Sequence, residues 1–200
     1  ANAELGMEKL RGFEVGLDFH PTRDVELSLT AFDNRVKNAI ANVTIGTNLR
    51  ERRNVDAIQA QGLELGASAR AGAVTFAGSL SWIDAEVEAD GAAALLDGMR
   101  PSQTPRWAAS GTVAWHPREN WVVSATLRHV GRQFEDDLET DVLPAATTFD
   151  AFVQVPLFDR LSLVLRGENL LDEEVLTRNQ GGSVDLGAPR TVWGGLRFGY

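Results

Sequence analysis

Histidine is the first residue type to consider for catalysis or metal binding in this sequence. His20 and His116 each precede a proline at a short turn, and His129 stands alone. A structural role at strand ends explains the first two better than a metal pair. The chain has no cysteine, which excludes disulfides, cysteine-ligated zinc, iron–sulfur clusters and thiol nucleophiles. Neither H-E-x-x-H nor G-x-S-x-G nor a phosphate-binding glycine loop occurs, so we expect no catalytic residue, no metal ligand, no cofactor and no enzyme.

Carboxylates form two runs that could ligate a hard cation. One run lies in residues 135–141, and the other alternates along residues 84–90. Carboxylate oxygens are the ligands that Ca²⁺ prefers, but neither run has the glycine-spaced pattern of a calcium loop. A solvated charged segment is therefore the favoured interpretation of each run, with calcium binding as the alternative.

Arginine supplies one basic cluster, made of Arg50, Arg52 and Arg53 in a predicted loop. Such a cluster could bind an anionic ligand or the phosphates of lipopolysaccharide, and a solvated loop is the simpler alternative. The whole chain contains 19 Lys and Arg residues and 28 Asp and Glu residues, which gives a net charge of −9. That balance argues against nucleic acid as a partner.

Strict alternation of apolar and polar residues is the pattern that must position these side chains. In residues 11–20, for example, Phe13, Val15 and Leu17 alternate with polar or small residues. A period of two places the two sets on opposite faces of a β-strand. Nine such runs occur, most of them about ten residues long. They are residues 11–20, 25–31, 63–70, 74–82, 107–116, 121–128, 149–157, 161–168 and 191–200.

The strand length and the connections together predict an all-β, antiparallel transmembrane β-barrel. About ten residues cross a bilayer at a tilt of about 45°, whereas no apolar stretch is long enough for a spanning helix. Tryptophans near strand ends (Trp82, Trp107, Trp115 and Trp121) fit an interfacial aromatic girdle. Short turns alternate with long connections over residues 36–54, 88–103, 135–146 and 171–189, as in outer-membrane barrels with long extracellular loops.

Three stretches resemble the C-terminal part of the barrel of TonB-dependent outer-membrane receptors. They are residues 8–20 (EKLRGFEVGLDFH), 168–175 (ENLLDEEV) and 189–200 (PRTVWGGLRFGY). The second resembles the family motif N-L-x-D-x-x-Y, with Val175 in place of the aromatic residue. The matching motif residues are Asn169, Leu170 and Asp172.

The closing stretch also resembles the terminal signal that the barrel-assembly machinery reads. Gly195, Phe198 and Tyr200 fit that pattern, while Trp193 occupies its polar position. Tyr200 is the single tyrosine of the chain. A tyrosine that simply ends a strand at the membrane interface is the alternative.

The resemblance implies an organisation and a function. Residues 1–200 are expected to be the C-terminal portion, about nine strands, of a 22-strand type barrel, a fragment without the plug domain. The implied function is that of a wall of an active transport receptor in the bacterial outer membrane, for uptake of a siderophore or a similar scarce nutrient. The implied partners are outer-membrane lipid, a small-molecule ligand, the barrel-assembly machinery and, through the missing N-terminal part, an inner-membrane energy-coupling protein.

Two other classes of protein remain as alternatives. The first is a passive outer-membrane pore or structural barrel without energy coupling, disfavoured because bacterial single-chain barrels have even strand numbers. The second is a soluble all-β binding domain, disfavoured by the long strands and by long loops at one end. The wall strands do not identify the ligand, because siderophore, cobalamin, carbohydrate and peptide receptors share them.

Overall fold

The strands follow the predicted alternation closely. The computed structural model describes residues 2–46 and 49–199. In chain order the strands of this part are β1 (Lys9–Thr22), β2 (Val25–Lys37), β3 (Ile40–Gly46), β4 (Leu49–Asn54), β5 (Ala57–Ala71), β6 (Val74–Glu88), β7 (Trp107–Trp115), β8 (Val122–Val130), β9 (Gln133–Phe134), β10 (Val142–Leu143), β11 (Ala146–Phe158), β12 (Leu161–Glu168), β13 (Leu176–Gln180), β14 (Ser183–Leu186) and β15 (Thr191–Phe198). A 3₁₀ helix covers Gly91–Leu96, and no helix among these residues is long and apolar enough to cross a membrane.

Nine of the strands described form one antiparallel sheet, in the order β1-β2-β5-β6-β7-β8-β11-β12-β15. The six short strands pair as hairpins in three of the long connections: β3 with β4, β9 with β10, and β13 with β14. The predicted nine-strand sheet and its antiparallel pairing are therefore confirmed. The three small hairpins were not predicted, because their strands are short and lack a sustained period of two.

Several sheet strands are longer than the expected ten residues. β1, β5 and β6 have 14, 15 and 15 residues. On β6 the apolar positions change to the other face of the sheet beyond Trp82, where Ala85 and Val87 are buried. These strands continue because the connections pack over their ends and bury one face there.

Register places the apolar residues of neighbouring strands on one face of the sheet. Leu17 lies opposite Leu29, which lies opposite Leu65, which lies opposite Leu80. Leu17 is 63% exposed, since a single-layer sheet has nothing of its own to cover this face. Trp82 and Trp107 pair on the same face, with ring centroids 6.3 Å apart. This is the arrangement of a barrel wall whose outer face meets lipid below an aromatic girdle.

Short turns join the strands at one end of the sheet and long connections join them at the other. The turn between β5 and β6 is closed by Gly72, whose φ of +60° is a conformation that glycine adopts without strain. At the opposite end a small core forms from the β3–β4 hairpin, the end of β6 and the 3₁₀ helix. Its buried residues are Ala39, Ala41, Val43, Val55, Val87, Ala89, Ala93 and Leu96. The well-packed part of the described chain thus lies in the connections, beyond the membrane-facing band.

Candidate functional site

The four long connections, residues 38–56, 89–106, 131–145 and 169–190, together form what we call the loop assembly. Its centre is the acidic segment, residues 135–141. Asp137 accepts a backbone hydrogen bond through each carboxylate oxygen, from Asn42 at 3.0 Å and from Ser102 at 3.2 Å. Glu139 accepts one from the backbone of Arg100 at 2.9 Å. These carboxylates therefore fasten three connections to one another, and the expectation of a merely solvated segment is wrong for them.

Asp136 holds the acidic segment in its own shape. Its side chain is almost fully buried and accepts hydrogen bonds from the Thr140 amide (2.9 Å), the Thr140 hydroxyl (2.7 Å) and the Asp141 amide (2.7 Å). Arg50 lies 3.8 Å from it. Burial alone would raise the pKa of Asp136, but the hydrogen bonds and the charge of Arg50 outweigh it and lower the pKa below its ordinary value. At neutral pH the carboxylate is ionised and accepts all three bonds.

The fourth connection is tied to the same segment. Asn179 donates through Nδ2 to the carbonyl of Val142 at 3.2 Å, and the Gly181 amide donates to Asp141 at 3.1 Å. Arg178 and Asp185 brace this β13–β14 hairpin through two hydrogen bonds of 2.7 and 3.1 Å. The hydrogen bond from Arg178 lowers the pKa of Asp185. All four long connections therefore contact each other through residues 135–142.

Two residues of the second acidic run are engaged in ion pairs. Asp84 lies 3.1 Å from Arg106, and Glu88 makes a two-point contact with Arg35. Within the described residues no group of three histidine or carboxylate side chains has the arrangement of a metal site.

Strand alternation divides the predicted arginine cluster. Arg50 and Arg52 share one face of β4, opposite Thr44 and Asn42, whereas Arg53 lies on the other face. Arg53 contacts Glu51 at 2.7 Å, and Arg50 is near Asp136 as described above. Among the described residues no acidic side chain lies within ion-pair distance of Arg52. The two arginines that can reach one anion together are Arg50 and Arg52, and their role as ligand-loop residues stays a prediction.

Asn169 of the resembling motif closes the end of β12. It is 5% exposed and its φ is +47°, a left-handed conformation that asparagine tolerates better than most residues. Its Nδ2 donates to the carbonyls of Glu173 (2.8 Å) and Ala188 (3.2 Å), and its Oδ1 accepts from the Glu173 amide (3.0 Å). The backbone amide of Asn169 donates to a carboxylate oxygen of Asp150 at 2.9 Å. Asn169 thereby ties the end of β12 to β11 and to the connection that leads into β15.

Leu170 and Asp172 complete this closure. The Leu170 amide donates to the carbonyl of Phe149 at 2.7 Å, and its side chain packs over Gly167, where an added Cβ would lie 2.6 Å from Leu170 Cδ2. Asp172 accepts from the backbone and the side chain of Arg190, at 3.2 and 2.9 Å. The geometry gives the motif residues a structural role: they fix the entry to the closing strand β15.

The polar face of the sheet presents hydroxyl pairs and ion pairs. Ser79 and Ser110 share a hydrogen bond of 2.9 Å across β6 and β7, as do Thr112 and Thr126 across β7 and β8. Further along, Arg128 contacts Asp150, and Trp193 Nε1 donates to Glu168 at 3.3 Å. Such a face suits a water-filled or plugged lumen.

The predicted assembly signal lies on β15 and just beyond it. Gly195 lies opposite Val164, and a Cβ there would meet nothing within 4 Å. Phe198 lies opposite Leu161 on the apolar face and is 67% exposed. Tyr200 lies outside the described residues. Because nothing in this arrangement tests recognition by the assembly machinery, the signal stays a prediction.

A single-layer antiparallel sheet, with an apolar outer face and its long connections at one end, defines the wall of a transmembrane β-barrel. A family model described as TonB dependent receptor-like, beta-barrel matches residues 1–170. The chain therefore belongs to the family of TonB-dependent receptor β-barrels, a family of outer-membrane transport receptors and not of enzymes. The match ends before the closing strand, so the resemblance of residues 189–200 rests on their sequence.

Solved structures of this architecture match almost the whole chain. The siderophore receptor PiuA from Acinetobacter baumannii has a TM-score of 0.81 at 17% identity, over 94% of this chain and 28% of its own. The ferric yersiniabactin uptake receptor FyuA from Yersinia pestis has a TM-score of 0.81 at 23% identity, over 96% of this chain and 30% of its own. The copper transporter OprC has a TM-score of 0.78 at 16% identity, over 99% of this chain and 32% of its own. The chain spans about three tenths of the length of these structures, and a search of curated proteins finds no significant match.

Proposed function

We propose that this chain forms part of the wall and mouth of an outer-membrane receptor for energy-coupled uptake of a siderophore or a similar scarce nutrient. Family membership supports a transport receptor. Structural relatives named as a siderophore receptor, a ferric yersiniabactin uptake receptor and a copper transporter support a metal-related ligand. The observation that carries the proposal is the loop assembly, in which four long connections are fastened together by the acidic segment. A mouth held in one shape suits a receptor that binds a specific ligand.

The loop assembly gives the mouth a preformed surface. Because its ties are hydrogen bonds from backbone amides to carboxylates, little conformational entropy remains to be lost when a ligand binds. On this surface Arg50 and Arg52 share one face of β4, where they would contact the anionic groups of a metal chelate. Arginine suits this task, since its planar guanidinium can hold a carboxylate through two parallel hydrogen bonds.

The proposal extends to the rest of the receptor and to its partners. Residues 1–200 would form the closing portion of a 22-strand type barrel, with a plug domain in the lumen. An inner-membrane energy-coupling protein would act on the plug side, and the barrel-assembly machinery would read Gly195, Phe198 and Tyr200. The polar face of the sheet, with its hydroxyl and ion pairs, would then face the plug.

Uptake of labelled metal chelates by whole cells tests this function. Cells lacking the gene, cells carrying it and cells lacking the energy-coupling protein would be compared on a panel of iron(III) siderophores and copper. We expect uptake of at least one chelate to require both the receptor and the energy-coupling protein. Uptake that needs the receptor but survives loss of the coupling protein would instead indicate a passive pore. If no panel member depends on the gene, the ligand class is wrong.

A residue-level arm addresses the arginines. Arg52→Gln should weaken binding of the transported anionic chelate by about tenfold, the loss of one charge-assisted contact. Arg118→Gln, in a short turn at the opposite end of the sheet, is the matched control and should bind like the parent. Equal affinity of both variants would remove Arg52 from the proposed ligand surface.

A further inference from the structure

A chain of hydrogen bonds runs from the polar face of the sheet to the turn that begins the fourth long connection. It starts at Arg128 of β8, which lies opposite Ser110 of β7 and has a side chain that is 55% exposed. The guanidinium of Arg128 donates to Asp150 Oδ2 on β11. The other oxygen of the same carboxylate, Oδ1, accepts the backbone amide of Asn169 at 2.9 Å. Asp150 therefore bridges a side chain of the polar face and the turn after β12.

The chain continues from this turn into the loop assembly. The side chain of Asn169 holds the fourth connection near both of its ends, at Glu173 and at Ala188. The β13–β14 hairpin of the same connection is tied to residues 141 and 142, as described above. Hydrogen-bond networks of this kind can carry energetic coupling between distant parts of a protein. The polar face and the mouth are therefore joined without a gap.

The carboxylate of Asp150 is the point at which the two ends of this chain meet. β8, β11 and β12 all lie inside the nine-strand sheet, so each has its neighbours on both sides. The side chain of Asp150 is 20% exposed, and each of its two oxygens has a donor. Both oxygens belong to one planar group. A rotation of this group that follows Arg128 therefore moves the oxygen that Asn169 uses.

Arg128 is the end of the chain that can move. The residues opposite it on the two neighbouring strands, Ser110 and Thr148, are short, and they leave more than half of its side chain open. A second arginine of the polar face, Arg166, pairs with Glu168 instead, at 2.6 Å. A group in the lumen can therefore reach Arg128 without displacing another strand.

We propose that Arg128 and Asp150 couple the lumen of the receptor to its mouth. Movement of Arg128 toward the lumen draws Asp150 away from the Asn169 amide and loosens the fourth connection. Because coupling between two parts of a protein is reciprocal, a loosened fourth connection also releases Arg128. In this scheme both are positioning residues, which act through Asn169. The inference rests on the proposed function only in taking the polar face to line a lumen.

Hydrogen–deuterium exchange of the amides in residues 169–173, on the full-length receptor in membrane vesicles, tests the coupling from lumen to mouth. Arg128→Met keeps the length of the side chain but removes its donors. We expect exchange about threefold faster than in the parent, from the loss of one partly exposed ion pair. Arg197→Met is the matched control: Arg197 lies on the same face but donates to Gln154, at 3.3 Å. Exchange in the control should equal that of the parent.

A double-mutant cycle separates this coupling from general loosening of the sheet. Asp150→Asn keeps an oxygen for the Asn169 amide but removes the charge that holds Arg128. If Arg128 acts through Asp150, then Arg128→Met should have no further effect on exchange in the Asp150→Asn background. An undiminished effect in that background would overturn the proposal.

The reverse direction, from mouth to lumen, is read at Ser110, opposite Arg128. In a Ser110→Cys receptor, the rates of reaction with an anionic and a cationic methanethiosulfonate reagent report the local charge. Adding Asn169→Ala should release Arg128 from Asp150 and raise the ratio of anionic to cationic rate by about threefold. Gly72→Ala, which strains the chain at the opposite end of the sheet, is the control and should leave the ratio unchanged.

Two further results would overturn the proposal. One is exchange in Arg128→Met that equals the parent; the other is a rate ratio at residue 110 that ignores Asn169→Ala. If Asp150→Asn does not insert into the membrane, the comparison of Arg128→Met with Arg197→Met still decides. Since no step measures uptake, failure here leaves the transport proposal standing. Equally, a receptor that proves not to transport a chelate would still show or lack this coupling.

Discussion

Replacing Asn169 should loosen the closure of β12 more than its single position suggests. Three side-chain hydrogen bonds converge on this buried residue, at 2.8, 3.0 and 3.2 Å. At about 1 kcal/mol each, their loss in Asn169→Ala costs about 3 kcal/mol of local stability. Alanine at a φ of +47° adds about 1 kcal/mol of backbone strain. The summed cost of about 4 kcal/mol is a large fraction of the free energy that keeps a loop closed.

Hydrogen–deuterium exchange of the amides in residues 170–173, read by mass spectrometry on the receptor in membrane vesicles, measures this cost. A loss of about 3 kcal/mol or more raises local exchange by about a hundredfold or more. Asn169→Gly keeps the left-handed backbone free of strain, so it separates the hydrogen-bond loss from the strain. Asn169→Asp places a carboxylate oxygen against two carbonyl oxygens and should be at least as damaging as alanine.

Asn179→Ala, in the β13–β14 hairpin of the same connection, is the control. It removes the hydrogen bond that Asn179 donates to Val142 and the one that it accepts from the Gly182 amide, but it has no hydrogen bond to residues 170–173, whose exchange should stay unchanged. Exchange in Asn169→Ala that matches the parent would refute the reasoning. So would an Asn169→Asp variant that is as well protected as the parent, since the donor role of Nδ2 would then be unnecessary.

Three further changes test other parts of the structure. Gly72→Ala should lower the free energy of unfolding by about 1 kcal/mol through backbone strain alone, since φ is +60° and an added Cβ would meet nothing within 4 Å. Gly72→Asn should recover most of that stability. Equal urea midpoints of the parent and Gly72→Ala in vesicles would contradict the prediction. Because the folded-state pKa of Asp136 is lowered, its contribution to loop stability is present above the ordinary pKa of 3.8 and is lost as pH falls through the lowered value. Exchange at Thr140 should therefore rise below about pH 4, after correction for intrinsic rates, and Asp136→Asn should lack that step. Gly167→Ala should displace the side chain of Leu170, whose Cδ2 would lie 2.6 Å from the new Cβ, and should lower the local stability by about 1 kcal/mol. Unaltered hydrogen exchange at the Leu170 amide would show that the side chain moves at no cost.

The strands could be predicted from the sequence because burial acts on one face only. In β1 every second residue from Phe13 to Phe19 is apolar, and this period needs no knowledge of the partner strand. The same holds for the alternation of short and long connections, which composition marks through Pro, Gly, Asn and Asp. Both predictions depend on local pattern, and both are confirmed by the nine-strand sheet.

The loop assembly and the pairing of Lys9 with Lys37 could not be predicted in this way. Asp137 contacts Asn42 across 95 positions of sequence, and its donor is a backbone amide that every residue except proline carries. Lys9 and Lys37 face each other only because of the β1–β2 register. Asn169 differs from these residues, because the family motif singles it out in the sequence. Its position directly after a strand also suits a left-handed turn, which asparagine tolerates.

The chemistry of the loop ties has a consequence for how this receptor can change. At residues 42, 100 and 102 the donors to the acidic segment are main-chain amides, so the side chains at these positions take no part in the hydrogen bonds. Any residue but proline preserves the tie, while position 137 must keep two acceptor oxygens and position 139 at least one. The loop assembly can therefore vary its exposed side chains at these positions without losing its shape. Diversity at the donor positions and constancy at the acceptors would be the mark of such variation.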